Sequence, residues 1–153
     1  MNDSMLKVIT WIEEKNLNDV SDSKTQILKL ISAAGELSKS ISNREDCRQD
    51  VGNCIVQILI LSAINKYSIK QFIMGSDLAN IDDNHDSISS FMYELWQGFG
   101  RLSKAISQED DYRSTLDDLV IILSGIARFY NYSIEECLDI AYSDINDKEE
   151  GSA

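Results

Sequence analysis

An all-α helical bundle is the fold class that this sequence predicts, and three features predict it. Proline is absent and glycine is sparse, at 7 of 153 residues, so nothing interrupts long helices and few residues suit the tight turns of an all-β fold. Apolar residues recur every three to four positions through most of the chain, which is the period of an amphipathic helix. One such pattern occurs twice. Gly35-Glu36-Leu37-Ser38-Lys39 returns as Gly100-Arg101-Leu102-Ser103-Lys104, and Tyr67-Ser68-Ile69 returns as Tyr132-Ser133-Ile134, both at an offset of 65 residues. Two matches at one offset imply an internal duplication without gaps. With 43% apolar residues the chain can bury one sizeable core, so residues 1–153 are expected to form a single domain.

The first helix is expected over about Ser4 to Lys15, where Met5, Val8, Ile9 and Ile12 recur at helical spacing beside Trp11, with Asp3 or Ser4 as its cap. After the connector Asn16-Leu17-Asn18-Asp19, Ser23 opens a second helix with Ile27, Leu30, Ile31, Ala34, Leu37 and Ile41 as one apolar stripe, ended by Ser42-Asn43. A third runs from near Glu45 to about Lys66 and is almost wholly apolar in its second half, so it belongs inside the bundle. Ser68-Ile69-Lys70-Gln71 has the capping-box pattern of a fourth helix, which Gly75-Ser76 is expected to break or kink. Asp82-Asp83-Asn84-His85-Asp86 is the most loop-like stretch and the expected junction of the halves. Helices then follow over about Ser87 to Ser107, Glu109 to Tyr130 and Ser133 to Asp144, the last opened by the capping box Ser133-Ile134-Glu135-Glu136, with a fraying end from Asp147 to Ala153.

Twelve residues recur at the 65-residue offset: Leu30, Gly35, Leu37, Ser38, Lys39, Ile41, Ser42, Asp46, Arg48, Tyr67, Ser68 and Ile69. Shared helical periodicity does not align Gly, Ser, Lys, Arg and Tyr, so repeats are expected over about 24–80 and 89–145. Each hairpin has an apolar face too large to leave wet, and the two copies are expected to bury those faces about a pseudo-two-fold axis.

A net charge of −12 repels phosphate backbones, which argues against direct nucleic-acid binding. The longest apolar runs, Ile58 to Ala63 and Leu119 to Leu123, are far short of a membrane span, and the N-terminal charges do not suit a signal peptide. Cys47, Cys54 and Cys137 lack CxxC spacing and His85 stands alone, so neither zinc nor a disulfide framework is suggested; Cys54 and Cys137 read as small core residues. A soluble cytoplasmic protein with reduced thiols is expected.

Gly-Glu-Leu on one helix, a short charged turn, and Asp50-Val51-Gly52-Asn53 leading into an apolar helix together resemble the MazG-like all-α nucleoside triphosphate pyrophosphohydrolases. The resemblance implies a helical bundle, commonly oligomeric, that splits the α–β phosphate bond of a nucleotide with Mg²⁺. The family motif is Glu-Glu-x-x-Glu on one helix and Glu-x-x-Asp on the next, because several carboxylates must point at one place to hold metal against a triphosphate. Here the first motif becomes Ser32-Ala33-Ala34-Gly35-Glu36 and the second Asp50-Val51-Gly52-Asn53. In the copy the positions are Gln97, Gly98 and Arg101, then Thr115 and Asp118, with Glu94 and Asp117 as nearby carboxylates. Arg101 puts a cation where the family puts a metal ligand.

The resemblance thus names Glu36, Asp50, Asn53 and Asp118 as candidate Mg²⁺ ligands, and Lys39, Lys104 and Trp96 as candidate substrate contacts. Each has a plainer alternative. Glu36 and Asp50 suit a helix surface, Asp50 pairing with Arg48 or Arg44; Lys39 and Lys104 suit a solvated face; Trp11, Trp96 and Phe99 suit the core better than a stacked base. Gly35 and Gly100, unfavourable inside a helix, suggest close helix contact. The leading expectation is a fused pseudo-dimer that has lost most metal ligands and binds a nucleotide or a protein without turnover, a kind of protein that would suit a phage. Its apolar outer faces would permit a further homodimer. The alternatives are an active Mg²⁺-dependent pyrophosphohydrolase and an acidic inhibitor of a nucleic-acid enzyme.

Overall fold

A helix that is apolar on every side is stable only when other elements surround it. The stretch from Val51 to Ser62 is such a helix, and the fold is arranged to enclose it. The computed structural model describes residues 3–17, 21–67 and 87–151. These form the helices α1 (Asp3–Glu14), α2 (Ser23–Ser42), α3 (Arg48–Ile64), α4 (Ile88–Ser107), α5 (Arg113–Phe129) and α6 (Ile134–Gly151), an all-α bundle. α3 buries Val51, Cys54, Ile55, Val56 and every residue from Ile58 to Ser62, and α1, α2, α5 and α6 all pack against it. α4 completes the bundle by packing on α5 and α2. No helix among the described residues is long and apolar enough to cross a membrane.

The helix ends follow local chemistry. The Asp22 carboxylate accepts the Thr25 N–H at 2.7 Å and so caps α2, while Ser87 Oγ accepts the Ser90 N–H at 3.4 Å and caps α4. At α6 the expected capping box is present: Glu136 N–H donates to Ser133 Oγ and Ser133 N–H donates to Glu136 Oε2, both at 3.1 Å. Its copy at Ser68–Gln71, with Gly75-Ser76 and the stretch 82–86, lies outside the described residues.

Several boundaries differ from expectation. α3 begins at Arg48 rather than Glu45, and α5 at Arg113 rather than Glu109. Arg44 (φ 59°) and Glu109 (φ 58°) take left-handed backbone, which stops the preceding helix. Asp46 and Asp111 then accept the N–H two residues ahead, at 3.0 and 2.9 Å, and so set the next start. The C-terminal stretch does not fray at Asp147; α6 continues to Gly151 because Glu149 accepts from the Trp11 indole at 3.3 Å and pairs with Lys15 at 3.7 Å. Ser4 does not cap α1 but lies inside it, donating to Asp139 at 2.6 Å and tying α1 to α6.

The 65-residue offset recurs in the helix bounds: Ser23–Ser42 matches Ile88–Ser107, and Arg48–Ile64 matches Arg113–Phe129. Left-handed residues recur too, Arg44 with Glu109 and Lys66 with Asn131. The duplicated Asp, Arg and Tyr make reciprocal contacts. Arg48 clamps Asp46 at 2.6 Å and lies over the Tyr132 ring at 5.6 Å; Arg113 clamps Asp111 at 2.7 Å and lies over the Tyr67 ring at 5.8 Å.

The glycine expectation is overturned. A Cβ on Gly35 or Gly100 would meet nothing within 4 Å, so neither glycine serves close helix contact within the fold. Gly52 does: a Cβ there would overlap the Cys137 carbonyl and lie 2.8 Å from Ala141 Cβ, so its absence lets α6 approach α3. Gly98 plays the same part against Leu119, 2.6 Å from the position of such a Cβ, and Gly125 against the Phe91 ring. Gly100→Ala is therefore expected to raise stability by about 0.5–1 kcal/mol. Gly52→Ala should lower it by about 1–3 kcal/mol. Urea unfolding of the two variants reads both signs.

Candidate functional site

The residues that carry the resemblance lie on α2, α3, α4 and α5. Glu36 is exposed on α2, and Asp50 is half-buried in the first turn of α3, with Asn53 one turn further on the same face. Asp50 does not pair with Arg48 or Arg44 as one alternative held. Arg48 is engaged by Asp46 and by Glu136 at 2.9 Å, and Asp50 Oδ2 instead accepts from the Ser40 hydroxyl at 2.6 Å. Burial pushes the Asp50 carboxyl above its ordinary value; the Ser40 bond opposes this, and the charges of Glu36, Asp46 and Glu45 add to it. Glu36 and Asp50 are thus neighbours that repel.

In the copy, Glu94, Gln97, Arg101 and Asp118 line a cavity of about 270 Å³, floored by Ile121 and Ile122. The Arg101 guanidinium lies 4.0 Å from the Asp118 carboxylate. Asp117 turns the other way and accepts from the Tyr67 hydroxyl at 2.8 Å; burial raises its pKa, against the Tyr67 bond and with the help of Asp118. Among the described residues no three Asp, Glu, His or Cys side chains come together as a metal site would need. Glu36, Asp50 and Asn53 offer two carboxylates and an amide, so waters or substrate phosphates would have to supply the rest of the roughly six oxygens that Mg²⁺ takes.

The cysteines are free and buried. Burial pushes the Cys47 thiol up to about 11, Cys137 up to about 12, and Cys54 up as well, so none is a thiolate near neutral pH.

Lys39 and Lys104 are exposed on α2 and α4, on a solvated face. The aromatics divide. Phe99 is buried, and Trp11 packs on the core and bonds Glu149, whereas Trp96 is 69% exposed and meets Phe99 edge-on at 6.3 Å. Trp96 is therefore not the core residue its apolar stripe suggested. It borders a second cavity, of about 340 Å³, between α2 and α4, where Gly35 and Ser38 face Met92, Leu95 and Phe99.

Sequence reasoning passed over three features. Ser40, one turn after Glu36, donates from α2 to Asp50 on α3, a contact between helices for which spacing along either one gave no signal. Leu28 and Tyr93, both 67% exposed, occupy one position of the repeat, and the 65-residue offset was the signal. The buried Gln26 donates from Nε2 to Gln57 Oε1, joining α2 to α3, and had no signal beyond two glutamines on facing helices. No protein-family model, no curated protein and no solved structure matches the chain.

The carboxylates titrate with opposite consequences. A raised pKa means that the folded protein holds the Asp50 proton more tightly than the unfolded chain does. Its contribution to stability is therefore fully present below about pH 3.8 and lost as the pH rises through the raised value. Arg48 beside Asp46, Arg113 beside Asp111, and the Ser133 N–H with Arg48 at Glu136 hold those three carboxyls low. Their contributions are present above the ordinary carboxylate values and lost as the pH falls through the lowered ones. Asp50→Asn retains an acceptor for Ser40, so it is expected to be more stable than the parent at neutral pH. The gain should vanish below about pH 3.8, as thermal melts across pH would show.

Proposed function

We propose that this chain is a non-catalytic binding module built from two MazG-like helical hairpins, fused as a pseudo-dimer. The observation that carries the proposal is the Arg101–Asp118 pair. At the position where the resemblance calls for a metal ligand, the copy has a guanidinium 4.0 Å from the remaining carboxylate. A cation there opposes Mg²⁺ through Coulomb repulsion. The reciprocal stacking of Arg48 on Tyr132 and of Arg113 on Tyr67 supports a pseudo-two-fold relation between the hairpins. In such a fusion neither copy needs to be a complete site, so the two are free to diverge.

The rival reading, a working Mg²⁺-dependent pyrophosphohydrolase, has one observation in its favour. Glu36 and Asp50 repel each other, and a divalent cation would relieve that repulsion. Calorimetric titration of Mg²⁺ with a panel of nucleoside triphosphates, with pyrophosphate followed in the same samples, separates the two. No release of pyrophosphate is the expected result. Release that disappears in Glu36→Ala would overturn the proposal in favour of an enzyme.

A further inference from the structure

Net charge hides how charge is distributed over this chain. α6 carries seven carboxylates and one lysine, while α2 and α4 together carry five cations, Lys24, Lys29, Lys39, Arg101 and Lys104, against Glu36 and Glu94. Glu36 faces Asp50, and Glu94 and Arg101 both face the other cavity, where Arg101 meets Asp118, which leaves the four lysines. One pair of helices in a strongly acidic protein is therefore locally basic.

The same pair holds the apolar cavity, bordered by exposed Trp96, and carries exposed Leu28 and Tyr93 one turn before Ile31 and Trp96 of its lining. Lys24 lies seven and eleven residues before Ile31 and Gly35, on the cavity's side of α2, and Lys39 and Lys104 each follow a duplicated glycine by four residues. Gly35 and Gly100 each cost their helix about 1 kcal/mol relative to alanine. Neither gains an internal contact in return, because nothing lies within 4 Å of either. Together with the cavity and the lysines, they leave an open trough in which another backbone can come close.

We infer that the trough between α2 and α4 receives an acidic amphipathic helix of a partner protein, its apolar residues entering the cavity beside Trp96 and its carboxylates meeting Lys24, Lys39 and Lys104. The inference deepens the binding-module proposal and rests on it. A nucleotide fits the trough less well, since the lining offers a base edge only the Ser38 hydroxyl and the Trp96 indole N–H. The chain's own acidic helix is not the occupant in a second copy, because Cys137, Leu138 and Ala141 of α6 are already buried and its glycine-spaced contact with α3 is in use. Helix-in-groove recognition needs an apolar slot, close backbone approach and a charged rim, and these helices supply all three.

The test uses the full chain and a labelled synthetic helix of about five turns, with leucines at i, i+3, i+4 and i+7 and glutamates elsewhere. Fluorescence anisotropy is read at low and moderate salt. Controls are the same peptide with lysine for glutamate, phosphatidylserine-containing vesicles, and a single-stranded oligonucleotide. The expected result is binding of the acidic peptide that weakens with salt, falling about tenfold or more in Trp96→Ala and in Lys39→Glu/Lys104→Glu. These side chains are exposed, so melting temperatures should stay at the parent value and confirm that the variants fold. No binding of the acidic peptide, unchanged affinity in the variants, or vesicle or oligonucleotide binding that the variants abolish would each overturn the inference. Pyrophosphate release by the parent protein would instead sink the binding-module proposal, so the two failures are distinguishable.

Discussion

The burial of α3 on every side but its Asp50–Asn53–Gln57 edge is the constraint on which the rest of the structure depends. A helix with a polar face can lie on a surface, but one that buries Val51, Cys54, Ile55, Val56 and Ile58 to Ser62 needs a neighbour in each direction. Each fully buried aliphatic side chain is worth roughly 1.5–3 kcal/mol, so enclosing this helix outweighs any local preference of its neighbours. α2, α5, α6 and α1 are held around it, and Gly52 decides how close α6 comes. The polar links, Ser4 to Asp139 and Gln26 to Gln57, then fix the register of helices that the apolar contacts alone would let slide.

The same position of the repeat shows why the two hairpins are not equivalent. Gly52 in α3 corresponds to Asp117 in α5. One is bare so that a helix backbone can touch it; the other carries a carboxylate that accepts from Tyr67. A helix cannot pack against α5 at Asp117 as α6 packs against α3 at Gly52, because a Cβ at that distance overlaps a carbonyl oxygen. What the copies retain is the turn: Asp46 with Arg48, Asp111 with Arg113, and a tyrosine of the other half under each guanidinium. Those six residues join the halves across their connections; they are three of the twelve recurring residues, Asp46, Arg48 and Tyr67, together with their copies.

Much of this was legible in the sequence because it is written in periodicity. The existence and order of the six described helices, the stripe of α2, the buried character of α3 and the Ser133–Glu136 box are local patterns, and the structure has each of them. The starts of α3 and α5 were misplaced by three and four residues, since left-handed Arg44 and Glu109 carry no side chain that announces such backbone. The end of α6 was misplaced because its support is tertiary, from Trp11 and Lys15 more than a hundred residues away. Glycines were the least legible of all. A glycine looks the same in sequence whether a neighbour presses on it, as at Gly52, or nothing does, as at Gly35. At the candidate site the residue types were readable, but Ser40 against Asp50 and Arg101 against Asp118 are contacts between helices that spacing along one helix does not contain.

Stability and function pull apart at the α2–α4 seam. Among the described residues, Gly52, Gly98 and Gly125 admit close neighbours, and buried Ser62 and Ser124 donate to carbonyls of their own helices at 2.8 Å. Two glycines face open space, and three large apolar side chains, Leu28, Tyr93 and Trp96, stand in water although the core could have been sealed with polar residues there. Both features occur in both copies at matched positions, Leu28 with Tyr93 and Gly35 with Gly100. The two glycines bring their helices no contact within the described fold, and a cost carried twice without such a contact is what selection for contact with something outside the fold would leave behind.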